Sequence, residues 1–384
     1  MRLLLVNYEF PPVGGGASYS CRSLARHLVK RGHYVDVLTS RVAGQPKTEE
    51  VDGVLIHRVW SWRRSIHDCG TFGAATFLMF GLLRMNWLLR HRSYQVVHCY
   101  FALPCGPLAL HSANRSELPY VLSLRGSDVP KYDLTNPWLN NLHRFVSPLT
   151  HKVLSRASIV VPNSESLLRL IMDFHPAGNY EVIPNAALSQ SLSRQPRGTI
   201  GPVRILCVSR LIARKGIVVL LRAMALLRDL PVVVDIVGDG RQLNRLHSIA
   251  AKTGLQSIVS FHGARPHDEV LRLCADADIF VHPTLSESCS MAVIEAMSAG
   301  LPIVTTRVGG NEILVKDGEN GILVNPQDPQ ALADALRALV VNPQRRTVMG
   351  QASTARVQRD FDPMAHAAHY EVIYARAIAK GSTS

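Results

Sequence analysis

Two successive series of short apolar runs, each run followed by a stretch of helical spacing, constrain this chain more than any other feature. The first series places strands near 2–8, 34–40, 54–60, 95–101, 119–124, 158–163 and 179–184. A stretch rich in Ser, Gly and Pro, AALSQSLSRQPRGTIGP, then breaks the pattern at 186–202. The second series places strands near 203–209, 232–237, 257–262, 278–283, 302–306 and 321–324. Apolar runs of this length that alternate with helices imply parallel sheets covered by helices. The expectation is an α/β chain with two Rossmann-like domains, 1–186 and 203–361, facing one another across a cleft, with 187–202 as the linker. Residues 362–384 have helical spacing again.

Composition agrees with that architecture and narrows the chemistry. At 384 residues the chain is long enough for two or three domains, each with its own core. Apolar residues make up 47% and charged ones 18%, which excludes a disordered chain. The seven cysteines (21, 69, 99, 105, 207, 274 and 289) contain no C-x-x-C pair, so reduced thiols in a cytoplasmic compartment are expected. None of the sixteen histidines sits in H-E-x-x-H spacing, which removes catalytic zinc. Asp276 and Asp278 spell D-x-D, but one ends a helix and the other leads into a strand, so no metal is expected there.

The opening MRLLLVNYEF is too short in its apolar run for a signal peptide and reads as a first strand. A longer apolar stretch, TFGAATFLMFGLLRMNWLL, is interrupted by Arg84 and falls short of a membrane span. The expectation is a helix packed in the first domain; the alternative is a basic, aromatic face that touches an anionic membrane surface. A net charge of +13 calls for an acidic partner, and nucleotide sugars and anionic lipids both qualify. Nucleic acid is not expected, because the basic residues are dispersed and no reading motif is present.

Three places carry candidate chemistry. In TLSESCSMAVIEAMSAGLPIV, seven residues separate Glu287 from Glu295 where a buried strand turns into a helix. Backbone N–H groups from Ser290 through Met291, Ala292 and Val293 suit phosphate oxygens, and carboxylates accept from sugar hydroxyls. A helix-dipole partner and a solvated helix residue would explain the same pair. Arg210 and Lys215 flank a short basic loop in VRILCVSRLIARKGIVVLLRAM, where they either clamp a diphosphate or form a solvated loop. Gly14, Gly15 and Gly16 of PPVGGGAS follow the first strand and allow close approach of a phosphate or sugar, or form a plain turn.

Taken in order, SRLIARKG, VDIVGDG, FHGARPHDEV, the Glu287–Glu295 stretch and NYEFPPVGGGASYSCRSLARHLVKRGHYVDVLTS resemble the retaining family 4 glycosyltransferases of GT-B fold, across nearly the whole chain. Their signature is an E-x7-E motif preceded by an arginine and a lysine. The resemblance implies that Glu295 holds the donor's ribose and Glu287 the transferred sugar. It also implies that Arg210 and Lys215 stabilise the diphosphate, that Gly15, Gly16 and Gly263 border the donor, and that the last helix crosses back to the first domain. No resident cofactor is implied; the donor is a substrate, UDP- or GDP-linked.

Relatives carry a histidine before Gly-x-Asp at the fifth strand's end, where this chain has Arg125 and retains Asp128. Arginine stays protonated and cannot serve as a base. Either Arg125 binds an anionic acceptor or donor phosphate, or the acceptor proton leaves by way of the donor phosphate, with Asp128 orienting Arg125 or the acceptor hydroxyl; a structural ion pair of Arg125 with Asp128 is the alternative. Ser288-Cys289-Ser290 and the PNAA at 184–187 also depart from the family's usual Gly-Phe-Gly and Pro-Asn-Gly. The implied function is sugar transfer to a saccharide or lipid-linked saccharide in cell-envelope synthesis, in the cytoplasm or peripheral on the membrane's inner face. A GT-B nucleotide-sugar epimerase and a catalytically silent binding protein are the alternatives.

Overall fold

The computed structural model describes residues 1–63, 69–188 and 201–381, which form two compact units. Unit 1 comprises Met1–Leu188 and the chain from Pro363 onward, and unit 2 occupies the interval between them, ending at Asp362. Of the linker expected at 187–202, residues 189–200 lie outside the described ones.

Unit 1 begins with β1 (Arg2–Val6), α1 (Gly16–Lys30), β2 (Tyr34–Arg41), β3 (Thr48–Val51) and β4 (Val54–Trp60). It continues with α2 (Gly70–His91), β5 (Val96–Tyr100), α3 (Gly106–Ser116), β6 (Tyr120–Leu124), α4 (Pro137–Arg156), β7 (Ile159–Pro162) and α5 (Glu165–Phe174). The strands form one sheet in the order β3-β4-β2-β1-β5-β6-β7. All neighbours pair in parallel except β3 with β4. Central strands such as LLLV of β1 are buried throughout, as expected when helices cover both faces.

Two expectations fail at the margins of this sheet. Strand β3, TEEV, was not legible because it has no apolar run; its two carboxylates suit an exposed edge, where charge discourages further pairing. The strand expected at 179–184 is a single bridge between Tyr180 and Val160. Its backbone still bonds β7 at Asn179 O, Glu181 N and Ile183 N (2.8, 3.0 and 3.1 Å), but Pro184 has no N–H with which to extend the ladder.

Helix α2 packs one face on unit 1 through Gly73, Phe77, Gly81, Met85 and Leu88. Gly73 and Gly81 are close-contact points, since a Cβ would lie 2.8 Å from Trp62 O at the first and 3.0 Å from Leu108 at the second. Its length and apolarity match a membrane span, but Arg84 reaches inward to His57 Nδ1 at 2.9 Å and ties the helix to the sheet. The opposite face exposes Phe72, Met79, Leu83 and Trp87.

Unit 2 contains β8 (Val203–Val208), a single 3-10 turn at Ala213–Lys215, α6 (Ile217–Ala225), β9 (Val232–Val237), α7 (Leu243–Lys252) and β10 (Val259–Gly263). It then has α8 (His267–Asp276), β11 (Ile279–His282), α9 (Met291–Ser298), β12 (Ile303–Thr306), α10 (Asn311–Leu314), β13 (Gly321–Val324), α11 (Pro329–Val340) and α12 (Pro343–Asp360). Its sheet is parallel throughout, in the order β10-β9-β8-β11-β12-β13. Side-chain oxygens of Ser290, Asp328 and Asn342 cap α9, α11 and α12, at about 1 kcal/mol each.

Helix α13 (Pro363–Gly381) belongs to unit 1 and packs on α1, β5 and β6. It contributes Ala367, Tyr370, Ile373, Tyr374 and Ala377 to the core on that side of the sheet. The two tyrosine hydroxyls are satisfied inside: Tyr374 bonds His98 Nδ1 at 2.7 Å, and Tyr370 bonds Ser123 Oγ at 2.9 Å. Ser123 in turn bonds His98 Nε2 at 2.8 Å. Burial first, and the nearby Arg125 charge second, push His98 well below the ordinary histidine value. A neutral ring has one donor and one acceptor nitrogen, which matches two hydroxyl partners.

Candidate active site

Strand order reverses between β8 and β11 in unit 2, and ligands of open α/β sheets bind beside such a point at the strands' carboxyl ends. The loops that leave these two strands carry Arg210, Lys215 and Glu287. Lys215 Nζ contacts Glu287 Oε2 directly, and His282 Nε2 reaches the same oxygen at 2.9 Å. All three side chains are buried. Burial would raise the Glu287 carboxyl, but the Lys215 charge and the His282 bond hold it well below the usual carboxylate range. Lys215 moves the other way for a lysine: burial lowers it to about 8, against the opposing pull of Glu287. At neutral pH the pair is charged.

The backbone around the pair is fixed by glycines and by one more cation. Gly216 sits at φ +67°, and a Cβ there would lie 1.9 Å from Pro283 O. Gly310 N–H donates to Glu287 O at 3.0 Å, and a Cβ at Gly310 would fall 1.5 Å from Ser288 O. Arg214, buried beside Lys215, donates to Ser286 O at 2.6 Å and braces the loop ahead of Glu287. Arg210 is exposed at the end of β8, and its charge also lowers Lys215.

Glu295 lies in α9, buried, with Oε1 3.1 Å from His267 Nε2. Ser290 Oγ accepts from Val293 N–H at 3.4 Å, which removes Val293 from the backbone donors expected for a phosphate. Met291 and Ala292, in the first turn of α9, have N–H groups without an intrahelical acceptor. Gly263 ends β10 at φ +68°, with open space where a Cβ would stand. These residues therefore share the carboxyl edge of one sheet.

In unit 1 the carboxyl edge carries a different set. Gly14 sits at φ +99° against Glu9, and Gly15 N–H faces Glu9 Oε2 at 3.5 Å, with Gly16 opening α1. A carboxylate at that loop favours a hydroxyl-bearing ligand over a phosphate, since like charges repel. Arg125 follows β6, is buried, donates to Asn185 Oδ1 at 2.5 Å and lies 4.6 Å over the Tyr100 ring. Its neighbour His366 is pushed down to about 3, by burial first and by Arg125 second.

Asp128 stands next to Arg125, where it can orient that residue. Its buried carboxylate accepts the backbone N–H groups of Ala102, Arg125 and Gly126, each at 2.9 Å. It builds the loop that presents Arg125, bonding the Arg125 backbone N–H, and its charge also favours the Arg125 cation. Asp278 likewise accepts Arg204 N–H at 2.9 Å, a strand-end contact.

Sequence reasoning passed over His282, Arg214, His267 and Asn185. His282 had a signal: a polar residue closing an otherwise apolar buried strand, five positions before Glu287. Asn185 lay inside the PNAA departure, but its link to Arg125 spans 60 residues.

Two family models cover the chain in tandem: glycosyltransferase family 4 over residues 14–187, and glycosyl transferases group 1 over residues 193–356. A glycogen synthase of Mycobacterium tuberculosis strain H37Rv is 30% identical over 388 residues, covering 94% of this chain and 91% of that protein. Sucrose-phosphate synthase from Thermosynechococcus elongatus superposes with a TM-score of 0.85 at 22% identity, over 99% of this chain and 100% of the other. Anabaena HepE, solved with UDP and glucose, superposes with a TM-score of 0.77 at 19% identity, over 98% and 99%.

Proposed function

The chain belongs to the glycosyltransferases of GT-B fold, and from that membership we propose that it is a retaining, metal-independent hexosyltransferase. It takes a sugar from a UDP- or GDP-linked donor and passes it to a saccharide or lipid-linked saccharide of the cell envelope or of extracellular polysaccharide. The observation that carries the reading is the buried Lys215–Glu287–His282 cluster, with exposed Arg210, at the β8/β11 reversal.

In that reading the bond from the sugar's anomeric carbon to phosphate breaks, and charge grows on the diphosphate. Lys215 and Arg210 stabilise it, together with the Met291 and Ala292 N–H groups; fixed donors of this kind are worth most where water is excluded. Glu287 orients Lys215 and accepts from the transferred sugar's hydroxyls. Glu295, steadied by His267, holds the ribose. Arg125 stays a cation, so the acceptor's proton leaves on the donor phosphate as the new bond forms to the anomeric carbon.

Melting-temperature shifts across UDP-, GDP- and ADP-sugars test the donor class, and acceptor-dependent release of nucleoside diphosphate tests transfer. Release without acceptor would favour an epimerase or hydrolase; no shift with any donor would leave a binding protein of another kind. Glu295→Gln should weaken donor binding in the same assay.

For the partner surface, we read the outer face of α2 and α4 as lying against an anionic membrane on the cytoplasmic side. Helix α3 packs between them, and the three helices contain no Asp or Glu. Phe72, Met79, Leu83 and Trp87 on α2 recur at seven- or four-residue spacing, as do Trp138, Phe145 and Leu149 on α4, all exposed. Arg90, Arg144 and Lys152 accompany them. Vesicles with anionic lipid should bind the protein and release it as salt rises, because screening sets in within about 10 Å at 0.1 M. Equal binding to neutral vesicles would remove the electrostatic part.

A further inference from the structure

A cavity of about 610 Å³ opens at the carboxyl ends of β2 and β4, and none of the residues placed in a site above lines it. Arg41 and Trp60, the last residues of those strands, are register partners and both line it. Arg63 lines it too, held at Tyr8 O (3.2 Å) and Ser40 Oγ (3.3 Å). Nearby Arg58 is already paired with Glu49 at 2.5 Å, whereas Arg41 makes no ion pair among the described residues.

The apolar side of this cavity continues outward as a ledge of aromatic rings. Trp60 stands edge-on to Trp62 at 6.1 Å and to Phe80 at 5.4 Å, and Trp62 meets Phe72 at 6.2 Å. Trp62 is 62% exposed and Phe72 73%, so the ledge is open to a ligand. An unpaired guanidinium beside an exposed indole fits an ester with one anionic oxygen group and one carbon-rich arm. A neutral sugar gives the arginine no counter-charge, and a metal ion would meet cations.

We propose that this cavity anchors the acceptor by a phosphate or diphosphate ester, with Arg41 as the fork and Trp60 as the wall for the adjoining carbon skeleton. Calling the ligand an acceptor rests on the transferase reading; the phosphate-ester site itself does not. Position agrees: β1, with its glycine loop, is the next strand after β2, about 4.8 Å away. Three strand spacings, roughly 14 Å, separate β2 from β6 and Arg125. An ester held at Arg41 thus leaves room for one or two sugar rings along this edge.

The test titrates the full chain, its donor site saturated with the nucleoside diphosphate that raises its melting temperature most, against glucose 1-phosphate, farnesyl diphosphate and glucose. Both esters should bind and lose at least tenfold in affinity in Arg41→Gln, while glucose binds far more weakly and nucleotide affinity is unchanged. In Trp60→Leu, a larger loss for farnesyl diphosphate assigns a lipid-linked ester, and a larger loss for glucose 1-phosphate assigns a free sugar phosphate. Both positions are partly exposed, and unchanged melting of the variants secures the comparison. Equal ester affinity in Arg41→Gln, or glucose binding as tightly as glucose 1-phosphate, overturns the proposal. Absence of nucleotide binding in the parent protein would instead count against the transferase reading and leave the ester result standing.

Discussion

Each unit buries a cation at the carboxyl edge of its sheet, and each solves the electrostatic problem differently. Lys215 of unit 2 sits on a carboxylate and a histidine, and burial has brought it to about 8. Arg125 of unit 1 is set against an aromatic face and an amide, flanked by His98 and His366 that burial keeps neutral. A lysine near neutrality suits charge that appears and departs during a reaction. An arginine that never deprotonates suits an anion that is present throughout. Two buried positive charges in one chain can therefore serve opposite purposes.

The most damaging test of that contrast is Lys215→Met, which should lower turnover by about 10²–10³-fold, the usual cost of removing one fixed donor to developing charge. Because the substitution strands a buried Glu287, melting must be checked alongside the kinetics. Arg125→Ala should cost about ten- to a hundredfold in turnover, as expected for lost bonds to a charged group, with Arg125→Lys retaining part of the activity. Near-normal activity in Arg125→Ala would leave that residue only a packing role.

Glu287→Gln should reduce turnover by roughly tenfold while leaving donor affinity closer to normal, since one hydrogen bond to a charged group is involved. Should affinity fall and turnover hold, Glu287 serves binding alone. Smaller again is the effect of pH. Lys215 is protonated below about 8 and neutral above it, so nucleoside diphosphate affinity of the free protein should fall as pH rises through that value. Arg125 should add no step of its own between pH 6 and about 10. A flat affinity profile would mean that Lys215 does not meet the diphosphate. The smallest expected effect is none: chelation with EDTA should leave turnover intact, and its loss with recovery on added magnesium would place a metal at the diphosphate instead.

Fold and site were not equally legible. The apolar runs that became parallel strands announced themselves, because a strand covered on both faces has little choice but Val, Ile and Leu. The acidic edge strand β3 did not, since nothing covers it. At the site, the E-x7-E spacing and the Arg210 and Lys215 pair pointed to one sheet edge. The way Asp128 holds its loop was hidden, because the N–H groups of Ala102, Arg125 and Gly126 that it accepts are backbone and carry no residue signature. Contacts such as Arg125 with Asn185 or Glu295 with His267 join distant segments and exist only once the strands are in order.

Helix α13 gives unit 1 a particular history during synthesis. The α1 side of its sheet lacks Tyr370 and Tyr374 until the ribosome has passed the whole of unit 2. At about 5–20 residues per second, that interval is roughly ten to thirty-five seconds. Unit 2 is continuous in the chain and can close its core in the meantime, whereas unit 1 waits without the helix that packs on α1, β5 and β6. Of the two units, the one made earlier is thus completed later.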